Sequence, residues 1–447
     1  MKDLAGQRVT VMGLGRFGGG VGVARYLVKQ GADVLVTDLL AEDELADSLA
    51  QLADLPIEYR LGEHNVSDFT TRDLVVANPA VKPDNRFLRA ALAAGVPITS
   101  EIRLLVAALP NRLRIIGVTG TAGKSTVTAM IGHILKKFYP QPPAPPGDQS
   151  TVAPPDVWVG GNLGGSLLDH LDDIGPDDWV VLELSSFMLH GLREDKWSPH
   201  IAVVTNIGPN HLDWHGSFES YVEDKKVVLD YQVEGDWYIL GPGVDLPISS
   251  EARCCKPAPP ELAKALCLPG EHNRVNAGIA ASACLPVGTT MLRGLKLLED
   301  FPGLPHRLEF VLEHNGVRYF NDSKCTTPQA AELAIKSFEP GTVHIILGGY
   351  DKGSDLVPLA GFAAEHCAGV YTIGDTGEVI RTAAEATSAR AAVVACGELE
   401  LAVPEAVKRA KPGQVVLLSP ACASWDQFDH YEQRGERFTE LAKQASG

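Results

Sequence analysis

A glycine-rich segment that ends in a lysine, a serine and a threonine could bind the phosphates of a nucleotide. Gly120–Thr126 follows the apolar run Arg114–Val118, which is typical of a β-strand. Successive amides of such a loop form an anion-binding nest, the Lys124 ammonium can reach the outer phosphates, and the Ser125 hydroxyl can hold Mg²⁺. The usual spacing would place the first glycine at Val118, so this is a variant of the common phosphate-binding loop. It predicts a nucleoside triphosphate site rather than a plain glycine turn.

A second glycine cluster lies near the N-terminus. Gly13–Gly18 follows the apolar run Arg8–Met12, and Asp38 comes 20 residues after Gly18. Glycines at these places let backbone amides approach a diphosphate, and the acid could meet a ribose hydroxyl. Three interpretations stay open here: a dehydrogenase, a nucleotide-diphosphate pocket without redox chemistry, and glycines that serve only strand–helix packing.

Polar side chains follow two further apolar runs. Glu183 ends a strand-like run, where a carboxylate near a phosphate-binding loop could hold Mg²⁺ or could simply face solvent. The segment Thr205–His215 contains two histidines, His211 and His215, beside Asp213. A functional role and a structural role are both open for these histidines.

Four other segments contain side chains that suit ligands. Lys225 lies among acids in a helical stretch, as expected of a solvated helix face. The asparagines of Gly270–Asn276 can read the donor and the acceptor of an adenine edge, and the lysine of Asn321–Lys324 suits an anion or transition-state clamp. Ser419–Phe428 is either part of a site or a strand-to-helix turn with Ser424 as N-cap.

Short β-branched runs alternate with helical stretches along most of the chain, which is the pattern of βα units on parallel sheets. Predicted strands include Arg8–Met12, Val34–Thr37, Leu74–Ala77, Arg114–Val118, Trp179–Leu184, Ala202–Asn206, Val343–Leu347, Val370–Ile373 and Val415–Ser419. Boundaries near Ser100–Asn111 and Phe301–Pro305 divide these strands among three α/β domains. The predicted domains are residues 1–102, 103–302 and 303–447. The Pro-rich Tyr139–Asp156 is predicted to be a surface insertion between a helix and a strand.

Composition limits the possible partners and compartment of this 447-residue chain. Its net charge of -17 and its lack of a long Lys/Arg run argue against a nucleic-acid partner. No stretch offers the ~20 apolar residues of a membrane span, and the N-terminus lacks a hydrophobic signal core. The eight cysteines are scattered, which favours reduced thiols. We expect a cytoplasmic protein that binds neither nucleic acid nor membrane.

In this order, the segments resemble those of the Mur ligase family of peptidoglycan synthesis over essentially the whole chain. The loop Gly120–Thr126 is common to the family. The segments similar to the member that adds D-glutamate are Glu183–Phe187, Gly303–Arg307, Asn321–Lys324, Ser419–Phe428 and Glu432–Gly435. The resemblance implies an N-terminal Rossmann-like domain for a UDP-sugar, a central P-loop ATPase domain with a parallel sheet, and a C-terminal Rossmann-like domain for the amino acid.

The resemblance also implies a reaction. ATP would phosphorylate the carboxylate of UDP-N-acetylmuramoyl-L-alanine, and the amine of D-glutamate would attack the acyl phosphate through a tetrahedral intermediate. Mg²⁺ at two sites and a monomeric protein are expected. A ligase of the same fold that adds L-glutamate or another acidic amino acid is the alternative. A nucleotide sensor or an NAD-dependent oxidoreductase built on Gly13–Gly18 is a different class, although such an oxidoreductase has no use for the second glycine loop.

The resemblance further implies roles for the matching residues. The catalytic set is Lys124, Glu183, His211, Lys225 and Lys324. The ATP-binding set is Gly120, Thr121, Ala122, Gly123, Lys124, Ser125, Thr126, Val127, Asn273, Asn276, Arg307 and Asp322. The UDP-sugar set is Leu14, Gly15, Asn162 and His211. The amino-acid set is Lys324, Thr326, Lys352, Ser424, Trp425 and Tyr431. The metal set is Ser125, Glu183, His211 and Lys225, the last as a carbamate, because carbamylation turns an ammonium into an anionic ligand.

Some positions depart from the family pattern. Leu39 and Leu40 stand where the family often places a polar and a basic residue, so the contacts to UDP must differ. Met188 replaces a usual glutamine and Asn210 a usual acid. Trp425 replaces a smaller apolar residue near the amino acid, which bears on the choice of that substrate.

Overall fold

The computed structural model describes residues 4–15, 19–140, 154–248, 250–387 and 391–445. The described residues form three sheets in two compact units. The first unit comprises residues 1–262 and 275–298, and the second comprises residues 263–274 and 299–447. In the described ranges, no helix combines the length and the apolar composition that crossing a bilayer demands.

A five-stranded sheet forms the N-terminal part of the first unit. Its elements are β1 (Arg8–Met12), α1 (Gly19–Lys29), β2 (Asp33–Asp38), α2 (Ala46–Ala50), β3 (Ile57–Leu61), α3 (Ser67–Thr70), β4 (Leu74–Ala77), α4 (Arg86–Ala93), β5 (Ile98–Thr99) and α5 (Glu101–Ala108). All pairings are parallel, in the order β3-β2-β1-β4-β5. The strand order reverses between β1 and β4, which is where ligands bind in open sheets of this kind.

A six-stranded parallel sheet forms the central part of the first unit. Its elements are β6 (Ile115–Thr119), α6 (Lys124–Phe138), β7 (Val157–Gly161), β8 (Trp179–Glu183), α7 (Ser186–Leu192), β9 (Ile201–Val204), α8 (Leu212–His215), α9 (Phe218–Asp230), β10 (Trp237–Leu240), β11 (Arg253–Cys254) and α11 (Met291–Leu297). The helix α10 (Glu271–Ala283) belongs to this unit from Val275 onward. The strand order is β11-β10-β9-β6-β8-β7. β8 and β9 flank β6, and Val118 pairs with Glu183. The loops after these three parallel strands therefore lie together at the carboxyl end of the sheet.

A third sheet forms the second unit. Its elements are β12 (Glu309–His314), β13 (Val317–Asn321), α12 (Pro328–Ile335), β14 (Val343–Gly348), α13 (Val357–His366), β15 (Gly369–Ile373), α14 (Gly377–Glu385), β16 (Ala392–Gly397), α15 (Leu399–Arg409), β17 (Val415–Leu418) and α16 (Tyr431–Ala445). The order is β12-β13-β17-β14-β15-β16, and only β12 is antiparallel to its neighbour. Asn321 pairs with Leu418, so the loops after β13 and β17 leave the sheet side by side.

The predicted α/β architecture with three sheets is confirmed, and every predicted strand is present with its ends shifted by at most two residues. The largest shift is in β9, which ends at Val204 rather than Asn206. The strands outside that set are β3, β5, β7, β10, β11, β12, β13 and β16, of which β7 is the strand expected after the Pro-rich insertion. Six of them lie at sheet edges, where one strand side is unpaired and a continuous apolar run is not needed.

Two predictions concern segments between elements. The Pro-rich insertion is flanked by the end of α6 at Phe138 and the start of β7 at Val157, and its residues 141–153 lie outside the described ones. The predicted domain boundaries after residues 102 and 302 stay predictions. The alternative for Ser419–Phe428, a helix capped by Ser424, is wrong, because the next helix begins only at Tyr431.

Candidate active site

The phosphate-binding loop joins the central strand β6 to α6. Gly120 and Gly123 have φ values of +144° and +79°, a backbone region that favours glycine. A Cβ atom at Gly123 would lie 2.8 Å from Oδ1 of Asn276, so the loop passes closely over this side chain. The structure therefore brings Asn276, predicted to bind ATP, against the predicted phosphate loop.

The first turn of α6 holds the predicted phosphate and metal ligands. Lys124 begins the helix, and its Nζ donates to the carbonyl of Thr121 at 3.0 Å, so the ammonium lies over the loop. Ser125 and Thr126 follow it and are partly exposed, while Val127 is fully buried and anchors the turn. The helix N-terminus and the ammonium together provide a positive end for phosphates.

Asn206, which the sequence analysis did not single out, fixes the shape of this loop. Its side chain accepts from the Ala122 amide and donates to the Ala122 carbonyl, both at 2.9 Å. Its carbonyl accepts from the Thr121 amide at 3.0 Å, and the Thr205 hydroxyl donates to the Ala122 carbonyl at 2.6 Å. A polar Thr-Asn pair directly after the buried strand β9 was the available signal.

Glu183 ends β8 beside the phosphate loop and is almost fully buried, at 1% exposure. Asn162, another predicted residue, donates its side-chain amide to Glu183 Oε1 at 3.1 Å. Oε2 of Glu183 is buried and has no hydrogen-bond partner among the described residues. A buried carboxylate oxygen without a donor suits a cation, and a hard oxygen ligand is what Mg²⁺ prefers.

Lys225 contradicts the expectation of a solvated helix face. Its side chain on α9 is 2% exposed, because α9 packs against β6. Its Nζ donates to the Thr119 hydroxyl at 3.3 Å and lies 4.8 Å from the centre of the Tyr221 ring. Burial lowers the pKa of Lys225 to about 7, with Lys124 acting in the same direction and Glu183 opposing.

His211 precedes the short helix α8 with a left-handed φ of +51°. Its ring lies 4.9 Å from that of Phe187. Partial burial lowers the pKa of His211, the charge of Asp213 opposes this, and the positive charges of Lys124 and Lys225 act with burial. The imidazole is therefore favoured in its neutral form, which is the form that ligates metals.

Among the described residues, no group of three or more His, Cys, Asp or Glu side chains is arranged to hold a metal ion.

The first glycine loop is organised by Asp38. Its Oδ2 accepts from the amides of Leu14 and Gly15 at 2.8 and 3.0 Å, and its Oδ1 accepts from the Leu40 amide at 2.9 Å. The carboxylate, predicted to meet a ribose, is thus bound to its own loop. Residues 16–18 of this motif lie outside the described ones.

In the second unit, the predicted nucleotide residue Asp322 directly follows β13. Its carboxylate accepts from the Ser419 hydroxyl at 2.8 Å and from the Leu308 amide at 3.1 Å. Burial raises the pKa of Asp322 to about 6, although these hydrogen bonds and the charge of Arg307 oppose the rise. Asn273, also predicted to bind ATP, donates its side-chain amide to the carbonyl of Pro269 at 2.7 Å.

Arg434, to which the sequence analysis gave no role, holds the loops after β13 and β17 together. It is 1% exposed and donates to Ser323 Oγ and to the carbonyls of Ser323, Cys422 and Ala423 at 2.8 to 3.0 Å. Burial lowers its pKa to about 10. Three of the four bonds from this guanidinium reach carbonyls of the two loops, and buried carbonyls require donors.

The predicted amino-acid residues of the second unit follow β13, β14 and β17, and Tyr431 begins α16. Lys324 Nζ is 4.9 Å from the Tyr431 ring centre, and Lys352 Nζ is 4.3 Å from that of Trp425. The remaining two are Thr326, which is partly buried before α12, and Ser424, which is 2% exposed and accepts through its carbonyl from the amides of Gln427 and Phe428. The unit thus presents two ammonium groups beside aromatic rings, which suits an anionic ligand.

Sequence profiles of known families match each of the three sheets. The profile for the Mur ligase MurD-like N-terminal domain matches residues 7–100, and that for the Mur ligase middle domain matches residues 118–242. The profile for the Mur ligase glutamate ligase domain matches residues 306–422.

Individual proteins are similar over the whole chain. A UDP-N-acetylmuramoylalanine--D-glutamate ligase of Roseiflexus sp. (strain RS-1) is 38% identical, over 99% of this chain and 99% of its own length. The ligase of that name from Acidobacterium capsulatum is 36% identical, over 98% and 96%. Among solved structures, UDP-N-acetylmuramate-alanine ligase MurC from Thermotoga maritima has a TM-score of 0.56 at 20% identity, covering 98% of this chain and 100% of that chain, which supports the fold.

The fold and the site define a three-domain α/β protein whose central sheet carries a phosphate-binding loop. The chain belongs to the Mur ligase family. The family resemblance stated from the sequence is therefore confirmed.

Proposed function

We propose that the protein is an ATP-dependent ligase that joins D-glutamate to UDP-N-acetylmuramoyl-L-alanine in peptidoglycan precursor synthesis. The observation that carries this proposal is the full-length similarity to ligases of that name, at 38% identity over 99% of the chain. The products are the amide, ADP and phosphate. We further propose that it acts in the cytoplasm as a monomer.

The central sheet provides a setting for Mg²⁺-ATP. The loop Gly120–Thr126 would hold the phosphates, with Lys124 opposing the negative charge that develops on the transferred phosphoryl group. Glu183 fits a cation because its Oε2 is buried and lacks a donor in the described part of the chain. We assign Ser125 and Glu183 to one Mg²⁺ and His211 to a second. When bound, the ions would neutralise phosphate charge.

Lys225 suits the role of a carbamate ligand to Mg²⁺. Only a neutral amine can attack carbon dioxide, forming the N–C bond and releasing a proton. With a pKa of about 7, a large fraction of Lys225 is neutral at physiological pH, whereas an exposed lysine is almost fully charged. Its burial is therefore a reason to assign it this modification.

The reaction needs activation because a carboxylate is a poor electrophile. Transfer of the γ-phosphoryl group to the alanyl carboxylate gives an acyl phosphate and ADP. Attack by the glutamate amine then forms a tetrahedral intermediate, which expels phosphate. Asn162 and His211, which lie beside Glu183 and Phe187, would hold the muramoyl peptide, and Leu14 and Gly15 would line the UDP pocket.

Residues of the second unit are assigned to binding the amino acid and to contacts with the nucleotide. Lys324 and Lys352 would bind carboxylates of glutamate, with Thr326, Ser424, Trp425 and Tyr431 around them. Arg307 and Asp322 would contact phosphate and ribose, and Asn273 with Asn276 would contact adenine. The buried Arg434 would keep the two loops that carry Lys324 and Ser424 in place.

A ligase that adds L-glutamate or another acidic amino acid is the second candidate. Trp425 is the observation in its favour, because it stands where the family has a smaller apolar residue near the amino acid. The test is release of ADP and phosphate with UDP-N-acetylmuramoyl-L-alanine, Mg²⁺-ATP and either D- or L-glutamate. We expect turnover with the D-isomer alone. Turnover with the L-isomer alone would keep the fold and overturn the substrate. No turnover with either isomer would refute the proposal.

Lys124→Ala tests the assignment of the phosphate loop. Loss of the ammonium removes the positive charge that stabilises the negative charge on the transferred phosphoryl group. The rate of ADP release should therefore fall by ~10²-fold or more. Lys136→Ala, a basic residue in the last turn of the same helix, is the control and should leave turnover unchanged. Full activity of Lys124→Ala would contradict the assignment.

A further inference from the structure

His215 connects two segments of the proposed active site without belonging to the sets assigned above. Its Nδ1 lies 2.8 Å from Asp224 Oδ2, and its Nε2 lies 2.9 Å from Ser186 Oγ. A carboxylate oxygen accepts, so Nδ1 carries a proton, and in a neutral ring Nε2 then accepts from the serine hydroxyl. This fixes one neutral tautomer of the ring.

The arrangement has the connectivity of a Ser-His-Asp triad but cannot serve as one. The His215 side chain is fully buried, and Ser186 is 2% exposed. No substrate carbonyl could reach the Ser186 hydroxyl, which nucleophilic catalysis requires. The chain of hydrogen bonds therefore has a structural purpose rather than a chemical one.

Three aromatic rings pack around the His215 ring and hold it in place. Phe187 stacks on it with centroids 5.5 Å apart at 6°, and the rings of Trp214 and Tyr221 lie 4.5 and 5.2 Å away. Burial lowers its pKa although Asp224 opposes this, which agrees with a neutral ring. A ring held by packing on three sides transmits the position of one hydrogen-bond partner to the other.

The two partners flank residues of the proposed chemistry. Ser186 is the first residue of α7, three positions after Glu183. Asp224 immediately precedes Lys225 on α9, and its other oxygen is bound by His190 and Arg193, both at 3.0 Å. The Ser186–His215–Asp224 connection thus ties the end of the strand that carries Glu183 to the helix that carries Lys225.

We propose that His215 is a positioning residue that holds Lys225 in register with Glu183. This rests on the proposed ligase function. Loss of both hydrogen bonds would let α9 shift, and a displacement of about 1 Å at a reacting group can lower the rate by ~10²-fold. The phosphate loop is built from other residues, so ATP binding should not change.

The test compares three variants by kcat, by KM for ATP and by thermal unfolding. His215→Phe keeps a ring but loses both hydrogen bonds, and kcat should fall by ~10²-fold with KM for ATP unchanged. His215→Asn retains a donor near the Nδ1 position and should recover part of kcat. Ser186→Ala removes one bond and should lower kcat by about tenfold; it also tests the proposal if the His215 variants fail to fold.

A matched control and a spectroscopic measurement complete the test. His190→Phe removes a bond to the same carboxylate from a ring that is 43% exposed, and it should leave kcat unchanged. In ¹⁵N-histidine spectra of the wild type, the proton of His215 should reside on Nδ1. Wild-type kcat in both His215→Phe and Ser186→Ala, or a proton on Nε2, would overturn the proposal. An inactive wild type would instead refute the ligase function itself.

Discussion

The Trp425 ring lies beside a lysine that is proposed to bind the amino acid. Its ring is 60% exposed, lies 4.3 Å from Lys352 Nζ and packs 5.5 Å from the Tyr350 ring. Exposed cation–π contacts contribute about 0.5–1 kcal/mol. We therefore propose that the residue that departs from the family pattern acts on the substrate through Lys352 rather than by filling a pocket.

Replacing Trp425 should weaken amino-acid binding and little else. Trp425→Leu removes the cation–π contact, so the KM for D-glutamate should rise about two- to fivefold, with kcat and the KM for ATP unchanged. Trp425→Phe keeps an aromatic face and should restore most of the affinity. Steady-state kinetics with varied D-glutamate provide the measurement. An unchanged KM in Trp425→Leu would mean that Lys352 needs no such support.

At the scale of elements, the phosphate loop depends on a neighbouring strand end. Asn206 follows β9 and forms hydrogen bonds with Ala122 through its side chain and with Thr121 through its backbone. Asn206→Ala removes two side-chain hydrogen bonds that contribute about 1 kcal/mol each. Part of this free energy keeps the phosphate loop in its binding conformation. We expect the affinity for ADP to fall about tenfold, measured by calorimetry.

The control for this prediction is Asn210, which lies with Asn206 in the loop after β9. Asn210 is exposed, and its side chain accepts from the His211 amide rather than from the phosphate loop. Asn210→Ala should therefore bind ADP as the wild type does. Equal affinities of wild type and Asn206→Ala would mean that the loop is ordered by its glycines and by Thr205 alone.

The same scale explains what the sequence could and could not predict. Apolar runs followed by Gly120–Thr126 or Glu183 predicted the strands and the residues at their ends, because parallel strands bury both faces and leave ligands at one edge. Lys225 was misjudged, since its acidic neighbours along α9 suggested solvent while packing against β6 decides its burial. Asn206 and Arg434 were missed because their partners are backbone groups distant in sequence.

Across the whole molecule, two buried ionisable groups give stability a dependence on pH near neutrality. The unmodified Lys225 amine in the first unit has a lowered pKa, so between about pH 7 and 10.5 the unfolded chain binds more protons and the contribution of this group to stability rises with pH. Asp322 in the second unit has a raised pKa, and its effect has the opposite sign. Each unit should therefore respond differently to the same change of pH.

Asp322 allows the clearest test of this opposition. Its pKa rises from 3.8 to about 6 on folding, so below pH 4 both states are protonated, and between pH 4 and 6 only the folded state keeps its proton. The stabilisation is lost as pH rises through 6, and a shift of about two units corresponds to about 3 kcal/mol. Asp322→Asn stays neutral, so its melting temperature without ligands should rise relative to wild type from pH 4 to 7. The exposed Asp429→Asn in the same unit should show no such trend, and a constant difference for Asp322→Asn would mean that its hydrogen bonds from Ser419 and Leu308 fully offset the burial.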